Sequence, residues 1–222
     1  MEKEERFRSS REEMVDRQIA ARGVLNPRVL DAMRAIPRHL FVPEPYIRSA
    51  YEDRPLPIGE GQTISQPYIV AVMTELLEPR EGDRMLEIGA GSGYQAAILS
   101  RLVKKVTSIE RIPKVADQAR SNLARLNITN VMVVIADGTK GWQENSPYDG
   151  ILVTAATPEV PPPLIDQLAD GGRLVAPVGG RGIQELIKLV KRGERVERTY
   201  HGGVAFVPLI GRYGWQESDE GY

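Results

Sequence analysis

At 222 residues, 41% hydrophobic and 27% charged, the chain is long enough to bury one substantial core, and it reads as a single domain over residues 1–222. Its 29 basic and 30 acidic side chains leave a net charge of -1, which argues against a dedicated nucleic-acid binder. With no cysteine and only His39 and His201, disulfides and thiolate zinc sites are excluded and a histidine metal cluster is disfavoured. No apolar run approaches the roughly 18–20 residues needed to span a membrane, and the chain reads as a cytoplasmic protein.

Residues 1–9 alternate charges and read as a solvated, frayed extension. Ser10 then reads as the cap of a helix running through Met14, Val15 and Ile19 toward Gly23. Asn26-Pro27 starts a second helix, with Val29, Leu30, Met33 and Ile36 as its apolar stripe and Pro37 beyond its end. From Pro37 to Gly61 the sequence is irregular and rich in Pro, Gly and Tyr; so long a stretch points to substrate contacts near its end. Pro67 to Leu77 has helical spacing, with Ser65 or Gln66 just before the proline.

From Arg84 strand-like and helical runs alternate: MLEIGA, a helix near 94–102, KVTSIE, and a helix near 115–126. VMVVIAD, YDGILVTAA, a helix near 163–168 and RLVAPVG complete the series. This alternation predicts an α/β fold with a mostly parallel, doubly wound sheet. After Gly180 the strands ELIKLVKR, VERTYH and VAFVPLIG follow without helices and predict a terminal antiparallel strand pair. The chain thus divides into an N-terminal helical and substrate-loop segment (10–80), a βα core (81–180), C-terminal strands (181–212) and a tail (213–222).

Glu87-Ile88-Gly89-Ala90-Gly91-Ser92-Gly93 lies where the first parallel strand gives way to a helix, the place where ligands bind in open α/β sheets. A dinucleotide fingerprint would place Gly or Ala three residues after Gly91, where this chain has Tyr94. The acid-x-Gly-x-Gly-x-Gly spacing instead looks like the first motif of the Rossmann-like methyltransferases, which use S-adenosyl-L-methionine. Glu110 closes the second strand about twenty residues on, where a carboxylate can accept from both ribose hydroxyls. Asp137-Gly138 closes the third, suited to an adenine edge. Any one of these acids alone could equally cap a helix or sit on the surface. Three at successive strand ends favour the cofactor.

The segment Gly59-Glu60-Gly61-Gln62-Thr63-Ile64-Ser65-Gln66-Pro67, followed by VAVMTELL and LEIGAGSGYQAAIL, resembles the protein-L-isoaspartate O-methyltransferases. The likeness extends through PRHLFVPEPYIRSAYEDRPLPIG, VTSIER, QLADGGRLVAPVG and FVPL, covering most of residues 12–212. It implies a class I methyltransferase fold that carries a methyl group from S-adenosyl-L-methionine to the free α-carboxylate of L-isoaspartyl residues, and of D-aspartyl residues, in damaged peptides. The resulting ester cyclises to a succinimide without further catalysis. By the same resemblance Thr63, Ile64 and Ser65 receive the isoaspartyl residue, with Ser65 as the catalytic residue. Glu87, Gly89, Gly91 and Ser92 surround the methionine moiety, Glu110 the ribose, and Asp137 and Gly138 the adenine. Val204 to Leu209, with Val207, lines the substrate groove. The implied partners are isoaspartyl peptides and flexible protein segments; no nucleic acid, membrane or metal takes part, and the chain is expected to be a monomer.

The α-carboxylate is ionised at neutral pH, so no strong base is needed and Ser65 would orient rather than attack. Spacing alone favours Ser65 as a cap of the helix that follows, and the resemblance favours the substrate role instead. His39, in RHLFVP, reads as a packing histidine and His201 as a turn residue; Trp142 and Trp215 complete core or surface contacts. Asp53 either positions the loop through backbone hydrogen bonds or pairs with Arg54 or another base. Two other readings are a small-molecule or RNA methyltransferase of the same fold, and a non-catalytic cofactor-binding module.

Overall fold

Five runs rich in Val, Ile and Leu form the parallel strands, and the central ones are covered on both faces. In the computed structural model, which describes residues 2–216, these are β3 (Arg84–Ile88), β4 (Lys105–Glu110), β5 (Val131–Ile135), β6 (Tyr148–Val153) and β7 (Leu168–Val178). With β8 (Gln184–Arg192) and β9 (Arg195–Val204) they form one seven-stranded sheet in the order β5-β4-β3-β6-β7-β8-β9. β3 pairs in parallel with both β4 and β6, so the winding reverses beside it and opens a crevice at its carboxyl end. β8 runs antiparallel to β7, and β9 antiparallel to β8, giving the expected terminal pair.

Alternate strand residues feed two cores. Met85 and Leu152 join the apolar cluster built with α3 (Pro67–Leu76), α4 (Tyr94–Ser100) and α5 (Pro113–Arg125). Leu86, Ile88, Ile151 and Val153 join the opposite cluster, closed by α6 (Pro162–Asp166) and by Trp142, which packs there. α2 (Pro27–Ala35) starts as its sequence predicts: the Asn26 side chain accepts from the amides of Arg28 and Val29 ahead of the helix body.

Three expectations are corrected. α1 (Glu2–Glu13) already runs through Ser10, which therefore caps nothing, and the charged extension is docked rather than frayed. Phe7 stacks on His39 at 4.1 Å, while Arg11 donates to the Arg34 carbonyl and the Tyr51 hydroxyl. These contacts lie far off in sequence, so no local signal announces them. The helix continues as a π-helix (Met14–Ile19) with Met14, Val15 and Ile19 buried, and ends after a 3-10 turn (Ala20–Arg22) at Gly23, φ +97°. Second, VAFVPLIG is not a strand of its own. Val204 ends β9, and Pro208 has no N–H to continue a ladder; the Ala156 amide donates to the Val207 carbonyl and the Leu209 amide to the Ala156 carbonyl, a single bridge. Third, the irregular stretch contains β1 (Leu56–Gly59), which forms a hairpin with β2 (Gln62–Ile64). Of the tail, residues 217–222 lie outside the described residues.

Helix α3 is tied to the sheet by a buried ion pair. Arg173 on β7 donates to the carbonyls of Leu77 and Glu78 just past the helix and to the Asp83 carboxylate at 2.7 Å. Asp83→Ala, which leaves that guanidinium without its counter-charge, should cost about 3–5 kcal/mol in urea unfolding. Glu12→Ala, which removes an exposed partner of Arg8, should change stability by less than about 0.5 kcal/mol.

Candidate active site

The glycine loop is held by the strand beside it. The amides of Gly89 and Ala90 both donate to the Ile109 carbonyl, at 2.8 and 3.0 Å, and the Gly91 amide donates to Glu110 Oε2 at 3.0 Å. Gly89 also meets the residue that follows β6: the Thr154 hydroxyl donates to the carbonyls of Ile88 and Gly89, and a Cβ on Gly89 would stand 2.5 Å from that oxygen. With φ at +97°, this position suits glycine on both counts. Ser92 is buried; its hydroxyl accepts from the Tyr94 amide, and the Asn122 side chain holds its carbonyl.

Opposite the loop lies the β1–β2 hairpin. A Cβ on Gly91 would come within 3.7 Å of Ile58 and 3.9 Å of the Thr63 carbonyl, ordinary contact distances, so the loop faces the hairpin closely at this point. The space between is a cleft of about 420 Å³. Of the residues singled out from sequence it brings together Thr63, Ile64, Ser65, Gly89, Gly91, Ser92, Glu110, Gly138 and Val207. Across its mouth, Lys114 at the start of α5 pairs with Glu60 of the hairpin turn at 2.6 Å. The Ser65 hydroxyl makes no hydrogen bond among the described residues, and Gln66, not Ser65, occupies the N-cap of α3.

Two predicted acids stand away from the cleft wall. Glu87 lies fully buried beneath the loop; the Ser108 hydroxyl donates to its Oε2, and its Oε1 has no partner among the described residues. Burial pushes its carboxyl up to about 8, against the Ser108 hydrogen bond and helped by the charge of Glu110. Asp137 caps the turn that begins at Gly138: its Oδ1 accepts from the Thr139 amide and hydroxyl, and its Oδ2 from the Arg212 amide. Burial raises the Asp137 carboxyl, but these bonds outweigh it and hold the group below the usual carboxylate range. Gly138 therefore meets the cleft while its neighbour fastens the C-terminal segment.

Sequence reasoning missed most of the apolar walls, Ile88, Ile109, Ile112 and Ile210, while Leu209 falls within the segment it assigned to the groove. No motif marks them; only the hydrophobicity of strand ends hints at them. The lining suits a nucleoside-bearing cofactor. Each Glu110 oxygen accepts one backbone amide, from Gly91 or Ile112, and keeps further lone-pair capacity for ribose hydroxyls between these walls.

A doubly wound sheet with an acid-preceded glycine loop at its switch point and a carboxylate closing the next strand defines a Rossmann-like, S-adenosylmethionine-dependent methyltransferase. The family model for protein-L-isoaspartate(D-aspartate) O-methyltransferase matches residues 9–214, and the chain belongs to that family. A protein-L-isoaspartate O-methyltransferase from Methanoculleus marisnigri is 67% identical over 94% of this chain and 95% of its own length. One from Methanospirillum hungatei is 64% identical over 94% and 97%. A solved structure of a protein-L-isoaspartate O-methyltransferase superposes with a TM-score of 0.84 at 34% identity, covering 92% of this chain and 67% of that one. The same fold, with a TM-score of 0.78 at 23% identity over 90% and 98% of the two chains, occurs in a Plasmodium falciparum protein solved with S-adenosyl-L-homocysteine.

Glu87 gives a pH test. Below its ordinary value of 4.5 the carboxyl is protonated in folded and unfolded chains alike. Between there and about 8 only the unfolded chain ionises, so the stability this group contributes is lost as pH rises through that window. Glu87→Gln should flatten the fall of the melting temperature between about pH 5 and about pH 8, an effect on the order of a few kcal/mol. An unaltered slope would show that the group is not held neutral.

Proposed function

We propose that this chain transfers a methyl group from S-adenosyl-L-methionine to the free α-carboxylate of L-isoaspartyl residues, and of D-aspartyl residues, in damaged proteins, beginning a repair that passes through a succinimide. The observation that carries this reading is the Ser65 hydroxyl, unengaged and lining the same cleft as the glycine loop and Glu110. Family membership makes the two other readings, a methyltransferase for small molecules or RNA and a non-catalytic module, less favoured.

When bound, the cofactor supplies an electrophilic methyl group on a sulfonium centre. Glu110 holds the ribose hydroxyls, and Gly138 sits at the adenine with Asp137 behind it. Gly89, Gly91 and Ser92 pass the methionine portion, with Glu87 supporting the loop from beneath. Ser65 donates a hydrogen bond to one oxygen of the acceptor carboxylate and aims the other along the line of displacement. The amides near Ile64 and Val207 hold the peptide extended beside Thr63, the Val207 segment being fixed by its bond to Ala156.

No proton must be removed from a carboxylate that is already ionised. This agrees with the placement of the histidines: His39 is packed on Phe7 and bonded to Tyr51, and His201 lies exposed on β9. Orientation and exclusion of water then supply most of the acceleration, and well-oriented reactants can gain about 7–11 kcal/mol. Such a displacement has no step that calls for a metal, and we assign none; among the described residues no His, Asp and Glu cluster is arranged to bind one. A cleft that takes an extended segment selects flexible or unfolded stretches of substrate. We further propose that the chain works as a cytoplasmic monomer; none of its described helices is long and apolar enough to cross a membrane.

The test uses methyl-labelled S-adenosylmethionine and two peptides that differ only in isoaspartate against aspartate. Base-labile label should appear on the isoaspartyl peptide alone. Ser65→Ala should lower kcat/KM by about 10- to 100-fold, the scale of a hydrogen bond to a charged group, with S-adenosylhomocysteine affinity within about twofold. No label on either peptide despite cofactor binding would contradict the assignment.

A further inference from the structure

Ser65 stands free although it lies just ahead of a helix whose first amides need partners. Gln66, at the N-cap, makes no capping bond either; its side chain turns away and donates from Nε2 to Asp53 Oδ2 at 2.7 Å and to the Asp53 carbonyl at 3.1 Å. The other carboxylate oxygen of Asp53 accepts from the Tyr68 amide, in the first turn of α3, at 3.3 Å. Asp53 therefore caps this helix from outside it. Arg22, which closes the N-terminal helical extension, donates to Asp53 Oδ2 at 2.5 Å and lies 3.5 Å over the ring of Tyr68, whose hydroxyl donates back to the Arg22 carbonyl. Arg54, the neighbouring base, pairs with Glu52 instead.

We infer that Asp53 is a positioning residue for methyl transfer: with Arg22 it clamps Gln66 and Tyr68, fixing the segment that carries Ser65 while leaving the Ser65 hydroxyl to the substrate. Neither Asp53 nor Arg22 lines the cleft, so both act through the acceptor loop. Capping is the ordinary use of a serine ahead of Pro67, and here Asp53 takes that work over. The inference rests on the carboxyl-methylation reading for its kinetic consequence, but not for the clamp itself. It also gives the N-terminal extension a task, since Arg22 is held in place by the helix that precedes it and by Gly23 after it.

The experiment compares the full-length wild type with Asp53→Ala, Asp53→Asn and Arg22→Ala in three readouts. These are kinetics on the isoaspartyl peptide, calorimetric binding of S-adenosylhomocysteine, and amide hydrogen exchange across residues 62–68. Asp53→Ala should lower kcat/KM at least about tenfold and speed exchange in residues 64–68, while stoichiometry and Kd for S-adenosylhomocysteine stay within about twofold. Asp53→Asn, which keeps an acceptor, should recover part of the loss. Arg22→Ala should move kinetics and exchange in the same direction, and it serves as the test if Asp53→Ala does not fold. Unchanged exchange in the loop, or binding stoichiometry that falls in step with activity as for a merely structural residue, would overturn the clamp. If the wild type binds S-adenosylhomocysteine but methylates no isoaspartyl peptide, the functional reading fails, and the exchange data alone still decide whether Asp53 holds the loop.

Discussion

The Ile109 carbonyl accepts two successive amides of the glycine loop, and the carboxylate of the next residue, Glu110, accepts a third. The rest of the site depends on this fastening. It requires β3 and β4 to lie in parallel with Ile88 beside Ile109, which the burial of both strands favours. Once the loop is pinned, Gly91 faces the hairpin and Glu110 is fixed in the cleft between them. Thr154, just past the end of β6, locks the loop from the other side of the switch point. A binding surface made of backbone therefore gains rigidity from three strands, and substrate recognition can be delegated elsewhere.

On the proposed function that delegation falls to the N-terminal third of the chain, with the Val207 segment beside it. The β1–β2 hairpin supplies the facing wall, the Arg173–Asp83 pair secures the far end of α3, and Asp53 secures its near end. The acceptor loop is thus held at both ends of the helix that follows it, by contacts that never enter the cleft. The Glu60–Lys114 pair joins hairpin to core across the mouth, but it is exposed and adds little to stability.

Much of this was legible in the residues themselves because the signals are local. Asn26-Pro27 carries its own cap, Lys105–Glu110 appears as a strand with the bounds its pattern suggests, and the glycine loop falls between β3 and α4 as its spacing requires. What was hidden depends on partners distant in sequence. Phe7 finds His39 and so extends α1 to Glu2; Asp137 finds the Arg212 amide, 75 residues away, and turns from the cleft. Spacing points to Ser65 as a cap, and the structure corrects this because Asp53, twelve residues upstream, takes the first-turn amide instead. Pro208 shows the reverse case: its missing N–H was visible in the sequence, yet the apolar run around it suggested a strand that the ladder cannot support.

The most direct test of the account is a crystal structure of the chain with S-adenosylhomocysteine and an isoaspartyl peptide. The ribose hydroxyls should lie on Glu110, and the free α-carboxylate within hydrogen-bonding distance of Ser65 Oγ, on a peptide extended between Ile64 and Val207. A peptide seated elsewhere, or a carboxylate held by groups other than Ser65 while the cofactor lies as described, would contradict it.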